Sequence, residues 1–210
     1  MDIEIKICGI KRQEDIEILS KFPVNYAGFI FANSKRKVTP EHVVNITKNL
    51  RSDIKKVGVF VNEDIEKVNE IIRFCNLDIV QLHGEESDEY CSRVEAIVWK
   101  SISVKNESSL ININHYRNID GFLLDTYTDG DIKGGTGKTF NWDIVKNLSK
   151  DNFIILAGGL NKDNIVDAIK IVKPNILDVN SGVETELVKD EKKIKELFSN
   201  LEKYKNSIGG

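Results

Sequence analysis

Two residues of this 210-residue chain stand where a proton could be moved. Cys8 ends the stretch Lys6-Ile7-Cys8 and is followed by Gly9; Asp125 ends the apolar stretch Gly121-Phe122-Leu123-Leu124. A thiolate at Cys8 would act as base or nucleophile if nearby positive charge or helix dipoles lowered its reference pKa of ~8.5. The plainer reading of Cys8 is a small buried hydrophobe, the usual fate of a free cysteine. Asp125 is the sharper case. A carboxylate closing an apolar run needs a chemical task, a charged partner or a capping role. Desolvation there would raise its pKa into general-acid range.

Two glycine-bearing segments could hold an anion. Ala157-Gly158-Gly159-Leu160 and Asn180-Ser181-Gly182-Val183 each follow an apolar run, so their amide N–H groups can approach a phosphate at a helix N-terminus. The alternative is that the glycines only make tight turns. Gly134-Gly135-Thr136-Gly137-Lys138-Thr139 ends like a nucleotide-binding P-loop, but that pattern demands Gly at position 132, which is Ile132. What remains is a glycine-rich loop suited to folding over a ligand. In Ser34-Lys35-Arg36-Lys37 the guanidinium of Arg36 could clamp a carboxylate, or the cluster is a solvated face. His83, after Val80-Gln81-Leu82, is either a site residue or a satisfied core histidine.

These residues sit at the ends of eight apolar runs: 4–8, 26–31, 56–61, 78–82, 97–102, 121–125, 153–157 and 176–179. The runs are nearly continuous, as strands buried on both faces should be. Amphipathic patterns lie between them. In 63–74, Ile65, Val68, Ile71 and Ile72 share a face, and in 162–172, Ile165, Val166, Ala168, Ile169 and Val172 do the same. Thr39-Pro40 reads as an N-cap with Pro at the first helical position, and Asn141 and Asn161 as further caps. The fifth unit, 105–117, is polar and Asn-rich, which predicts a short or irregular helix. Alternation of this kind without a linker predicts a single-domain (β/α)8 TIM barrel over residues 1–210. An open doubly wound sheet is disfavoured, because no GxGxxG follows the first strand.

Composition excludes whole classes of function. With 30 Lys+Arg against 33 Asp+Glu the net charge is −3, so no global attraction to nucleic acid or anionic membranes is expected. The longest run of only apolar residues and Gly, 153–160, is too short to span a bilayer, and no signal-peptide pattern opens the chain. Three cysteines without metal-type spacing point to reduced thiols in a cytoplasm and to no metal site.

Taken in order, the segments resemble the phosphoribosylanthranilate isomerases, the aldose–ketose isomerases of tryptophan biosynthesis. The resemblance rests on Lys6-Ile7-Cys8-Gly9-Ile10, Ser34-Lys35-Arg36, Val57-Gly58-Val59-Phe60-Val61-Asn62 and Val80-Gln81-Leu82-His83-Gly84. It continues through Leu123-Leu124-Asp125-Thr126, the loop from Gly134 to Trp142, Ala157-Gly158-Gly159-Leu160 and the segment from Asp178 to Glu184. Asn180 stands where the family usually has Ser, a change that touches a supporting hydrogen bond and leaves the phosphate grip alone. The resemblance implies Asp125 as general acid and Cys8 as thiolate base. It implies Arg36, His83 and Asp178 as substrate-binding residues, and a phosphate held by Gly135, Gly158, Gly159, Ser181 and Gly182. It further implies a small phosphosugar substrate, no cofactor and a monomer or homodimer. Two competitors stay open: a lyase of the indole-glycerol-phosphate synthase type, which would need Lys6 or Lys100 as its catalytic lysine, and a sugar-phosphate sensor without turnover.

Overall fold

The computed structural model describes residues 3–127 and 139–208. Eight strands, β1 Glu4–Cys8, β2 Tyr26–Ile30, β3 Lys55–Phe60, β4 Ile79–Leu82, β5 Ile97–Val104, β6 Gly121–Thr126, β7 Ile154–Leu156 and β8 Ile176–Val179, form a closed parallel barrel in chain order. β8 returns to β1 with Lys6 opposite Asp178 and Ile7 opposite Val179. The strand positions expected from the apolar runs agree with these, the ends differing by at most two residues.

Alternation along each strand divides the side chains into two cores. Tyr26, Val57, Ile79, Trp99, Leu123, Ile155, Ala157 and Ile176 form a separate cluster that plugs the barrel interior. Tyr26 and Trp99 meet there edge to face, with centroids 5.2 Å apart. The outward positions join the larger core under the helices. Continuing the alternation toward the strand ends, the interior turns polar: Lys6 and Cys8 on β1, Gln81 on β4, Ser101 on β5, Asp125 on β6 and Asp178 on β8. An apolar plug below and a polar floor above follow directly from the order of residues along the strands.

The outer layer is less regular than the strands. Helices α1 Gln13–Leu19, α2 Pro40–Ile46, α3 Ile65–Cys75, α4 Asp88–Cys91, α5 Ile165–Val172 and α6 Glu191–Ile208 cover most units. Thr39 caps α2 by accepting from the His42 amide, with Pro40 at the first helical position as expected. The fifth unit carries a 3-10 segment, Glu107–His115, in place of an α-helix. Asn141 caps only a short 3-10 turn, Trp142–Ile144. Asn161 does not cap α5. Its side chain accepts from Asp163 in the preceding turn, and Asn164 occupies the cap position. After β8 comes an element absent from the sequence reading, a small hairpin of β9 Glu184–Thr185 and β10 Val188–Lys189. Among the described residues, no helix is long and apolar enough to cross a membrane.

Candidate active site

The polar floor is organised around one buried ion pair. Lys6, fully buried, donates to Asp178 Oδ2 at 2.8 Å on the adjacent strand. Burial opposes the charge on Lys6, but Asp178 and Cys8 outweigh it and raise its pKa above the ordinary value. Asp178 Oδ1 is buried without a hydrogen-bond partner. Gln81 Oε1 and Ser101 Oγ, also on inward positions, are in the same condition. Buried acceptors of this kind are costly unless a donor reaches them, which marks the chamber as a place for a hydroxyl-rich ligand.

Asp125 lies across this chamber, 8% exposed, with Oδ1 accepting from the Thr126 amide at 2.7 Å. His83 Nε2 stands 3.5 Å from Asp125 Oδ2, and the Gln81 amide meets His83 Nδ1 at 3.2 Å. A Gln81 donor at Nδ1 would leave the imidazole proton on Nε2, facing the carboxylate. Burial pushes the Asp125 pKa up to about 6 and Asp178 adds to this, against the Thr126 amide and Lys6. A carboxyl with that pKa can give up a proton near neutrality.

Cys8 is buried on the same interior face as Lys6. Burial pushes its thiol up from the ordinary value, and Asp178 adds to the rise, while Lys6 and Lys189 pull it down. The positive charge that a thiolate would need is therefore present, but it does not overcome desolvation. The resting group is a thiol.

Arg36 is buried at the mouth and already held. Its Nε donates to both carboxylate oxygens of Glu184, at 2.9 and 3.1 Å, and its Nη2 to Oε2 at 2.5 Å. Lys189 donates to the same carboxylate at 2.7 Å. Arg36 and Lys189 hold the Glu184 pKa below its usual value although burial alone would raise it. Arg36 is thus no solvated charge: one edge of its guanidinium is fixed, leaving the Nη1/Nη2 end for a ligand carboxylate.

The two glycine segments meet each other. Gly158 has φ +85°, and a Cβ there would collide with Thr126 beside Asp125; one at Gly182 would run into the carbonyl of Leu160. Asn161 and Asn164 both donate to the Gly159 carbonyl, at 3.1 and 3.0 Å, which fixes the orientation of that peptide. Among the described residues, no backbone carbonyl accepts from the N–H groups of Gly158, Gly159, Ser181 or Gly182. Unengaged amides on adjoining loops make an anion nest. Gly135, expected to join them, lies outside the described residues.

The structure brings Cys8, Asp125, His83 and Asp178 into one chamber with the β7 and β8 loops at its rim, and Arg36 at the mouth through Glu184. Sequence reasoning missed Glu184 and Lys189. Neither candidate lyase lysine is free. Lys6 is tied to Asp178, and Lys100 alternates to the outer face, where it donates to Gly84 O at 2.8 Å and Glu86 Oε2 at 2.9 Å.

Residues 5–200 match the family model for N-(5'phosphoribosyl)anthranilate (PRA) isomerase. The chain is 48% identical to N-(5'-phosphoribosyl)anthranilate isomerase of Clostridium acetobutylicum over 207 residues, covering 97% of this chain and 100% of that one. It superposes on phosphoribosyl anthranilate isomerase from Thermotoga maritima with a TM-score of 0.89 and 37% identity, covering 96% of this chain and 100% of the other. A structure of phosphoribosyl anthranilate isomerase in complex with reduced 1-(o-carboxyphenylamino)-1-deoxyribulose 5-phosphate matches with a TM-score of 0.86 and 34% identity, over 96% of this chain and 100% of that one.

Proposed function

The chain belongs to the N-(5'-phosphoribosyl)anthranilate isomerase family, and from that premise we propose how its own residues carry out the reaction. The reaction is the Amadori rearrangement of N-(5-phosphoribosyl)anthranilate to 1-(2-carboxyphenylamino)-1-deoxyribulose 5-phosphate, a step of tryptophan biosynthesis. Asp125 donates its proton to the furanose ring oxygen, and the C1–O bond opens to a protonated Schiff base. That cation acidifies the proton on C2, which the Cys8 thiolate removes. The enolamine tautomerises to the product ketone: C1 gains a proton, the C2 hydroxyl loses one, and Asp125 and Cys8 return to their starting forms. No atom is gained or lost.

The observation that carries this reading is the pairing of a carboxyl raised to about 6 with a thiol in one chamber, each from a different strand end. The substrate is anchored at three points around the pair. Asp178 Oδ1, buried and unpartnered, accepts a sugar hydroxyl. His83 lines the sugar pocket beside Asp125. The amides of Gly158, Gly159, Ser181 and Gly182 hold the phosphate, together with Gly135 by the family resemblance. Buried thiols at Cys8, Cys75 and Cys91 suit a cytoplasmic enzyme acting on a free small molecule. A sensor would need the grip without the acid and base. The direct test is the fluorescence decay of freshly made phosphoribosylanthranilate. Acceleration by catalytic amounts of protein is expected; stoichiometric binding without acceleration would return the sensor reading.

Arg36 holds the anthranilate carboxylate through the guanidinium end that Glu184 leaves open. A charge-assisted pair contributes roughly 1.5–3 kcal/mol, so Arg36→Ala should raise KM on the order of ten- to a hundredfold, with a smaller change in kcat. Arg36→Lys should recover little, because a point charge reproduces neither the Glu184 contact nor the fork. An unchanged KM in steady-state assays of Arg36→Ala would limit the residue to its bond with Glu184.

A further inference from the structure

The β9–β10 hairpin delivers one charged side chain to the interior, and the mechanism above has no task for it. Lys189 is buried, and its Nζ faces three acceptors: Glu184 Oε1 at 2.7 Å, Asn180 Oδ1 at 3.0 Å and Asn180 O at 3.4 Å. An ammonium has three N–H groups to match three acceptors; a neutral amine would turn its lone pair on one of them. Burial holds the Lys189 pKa below its usual value and Arg36 adds to the fall, while Glu184 and Cys8 pull it up.

The position of this ammonium relative to Cys8 is set by Asn180. Its Oδ1 accepts from Lys189 and lies against Gly9, the residue after Cys8. Three elements present charged groups to the thiol: Lys6 from β1, Asp178 from β8 and Lys189 from β10. From β2 it meets Gly28, where no side chain intervenes. Behind Lys189 stand Glu184 and Arg36. Among the described residues of this linked set, Lys6 pairs with Asp178, and Arg36 and Lys189 share Glu184. Glu184 offsets one of the two charges it binds, so the group of Arg36, Glu184 and Lys189 keeps a net positive charge.

We propose that Lys189 is a positioning residue for the Cys8 thiolate: the hairpin holds a second ammonium near the sulfur, in addition to Lys6, and supplies the charge that the anion requires. Lys6 acts on the thiol more strongly than Lys189, but Asp178 opposes it, and Lys189 adds to the pull toward the anion. Glu184 serves both cations, accepting from Lys189 at Oε1 and from Arg36 at both oxygens. Asn180, whose amide side chain reaches Lys189, supplies the supporting hydrogen bond at the position where sequence reading expected a change.

This inference rests on Cys8 as the base, and it is tested first by a measurement that does not use turnover. Alkylation of Cys8 by iodoacetamide, followed by mass spectrometry of its peptide, has a rate proportional to the thiolate fraction below the thiol pKa. An opposite charge at ~4–6 Å moves a pKa by about one unit or more, so Lys189→Met should slow alkylation at pH 8 about tenfold. Lys189→Arg should restore most of the rate. A merely structural role predicts the reverse sign, because a loosened hairpin exposes the buried thiol and speeds alkylation. If Lys189→Met does not fold, Lys189→Gln, which is neutral but can still donate to Glu184, takes its place. Equal or faster alkylation in the folded neutral variant overturns the proposal. kcat should fall about as much as the alkylation rate; slowed alkylation with unchanged kcat would uphold the role of Lys189 and remove Cys8 as the base.

Discussion

Asp125→Asn lowers kcat/KM at pH 6 by about 10²–10⁴-fold, the range associated with loss of a positioned general acid. The substitution keeps the shape of the side chain and its contact with the Thr126 amide, but an amide can only hydrogen-bond the ring oxygen, not protonate it. Opening of the furanose then becomes rate-limiting. Binding should survive, because the phosphate amides, Arg36 and Asp178 lie on other elements. Stability should be close to unchanged or slightly improved, since burying the ionised carboxylate is what raises its pKa to about 6. Full activity in steady-state assays of the folded variant would exclude Asp125 as the acid.

Cys8→Ala removes the base and leaves the grip. kcat should fall by at least about 10²-fold, with affinity for a reduced, non-reacting product analogue nearly unchanged by calorimetry. The sulfur packs against the backbone of Gly28, so its loss opens only a small void. Near-normal kcat would return Cys8 to the role of a packing thiol.

The barrel was legible because strands buried on both faces must be apolar along their length, and the chain has eight such runs. Cys8 and Asp125 were legible for the converse reason, each being a polar group that ends an apolar run. The partners of Arg36 were not. Glu184 and Lys189 sit on strands of two residues, joined by Glu186 and Leu187 at φ +51° and +63°, a left-handed turn without the Gly or Asn that announces one. The state of the thiol was equally hidden. The field that favours a thiolate comes from β1 and β10, while the burial that opposes it comes from the closure of the whole barrel, and neither is local in sequence. Asn161 misled for a smaller reason: two asparagines three residues apart share the start of α5, and Asn164 takes the cap position.

The pKa order has a kinetic consequence. The reacting form needs Asp125 protonated and Cys8 ionised, yet Asp125 titrates at about 6 and burial holds the thiol above its ordinary value. The correctly protonated pair is therefore a minor form of the free enzyme, constant in amount between the two titrations. Above pH 6 each unit removes the Asp125 proton tenfold while ionising Cys8 tenfold, so the wild-type activity is flat. In Asp125→Asn only the thiol titrates, and activity climbs. The charges acting on Cys8 are Lys6, Asp178 and Lys189, so the substitution leaves its titration in place. The decisive measurement is the ratio of wild-type to Asp125→Asn kcat/KM as a function of pH, in which the ionisations of Cys8 and substrate cancel. The ratio should be level below pH 6 and fall about tenfold per unit above it, tracking loss of the Asp125 proton. A ratio that passes through pH 6 without a break would contradict the assignment of Asp125 as the acid.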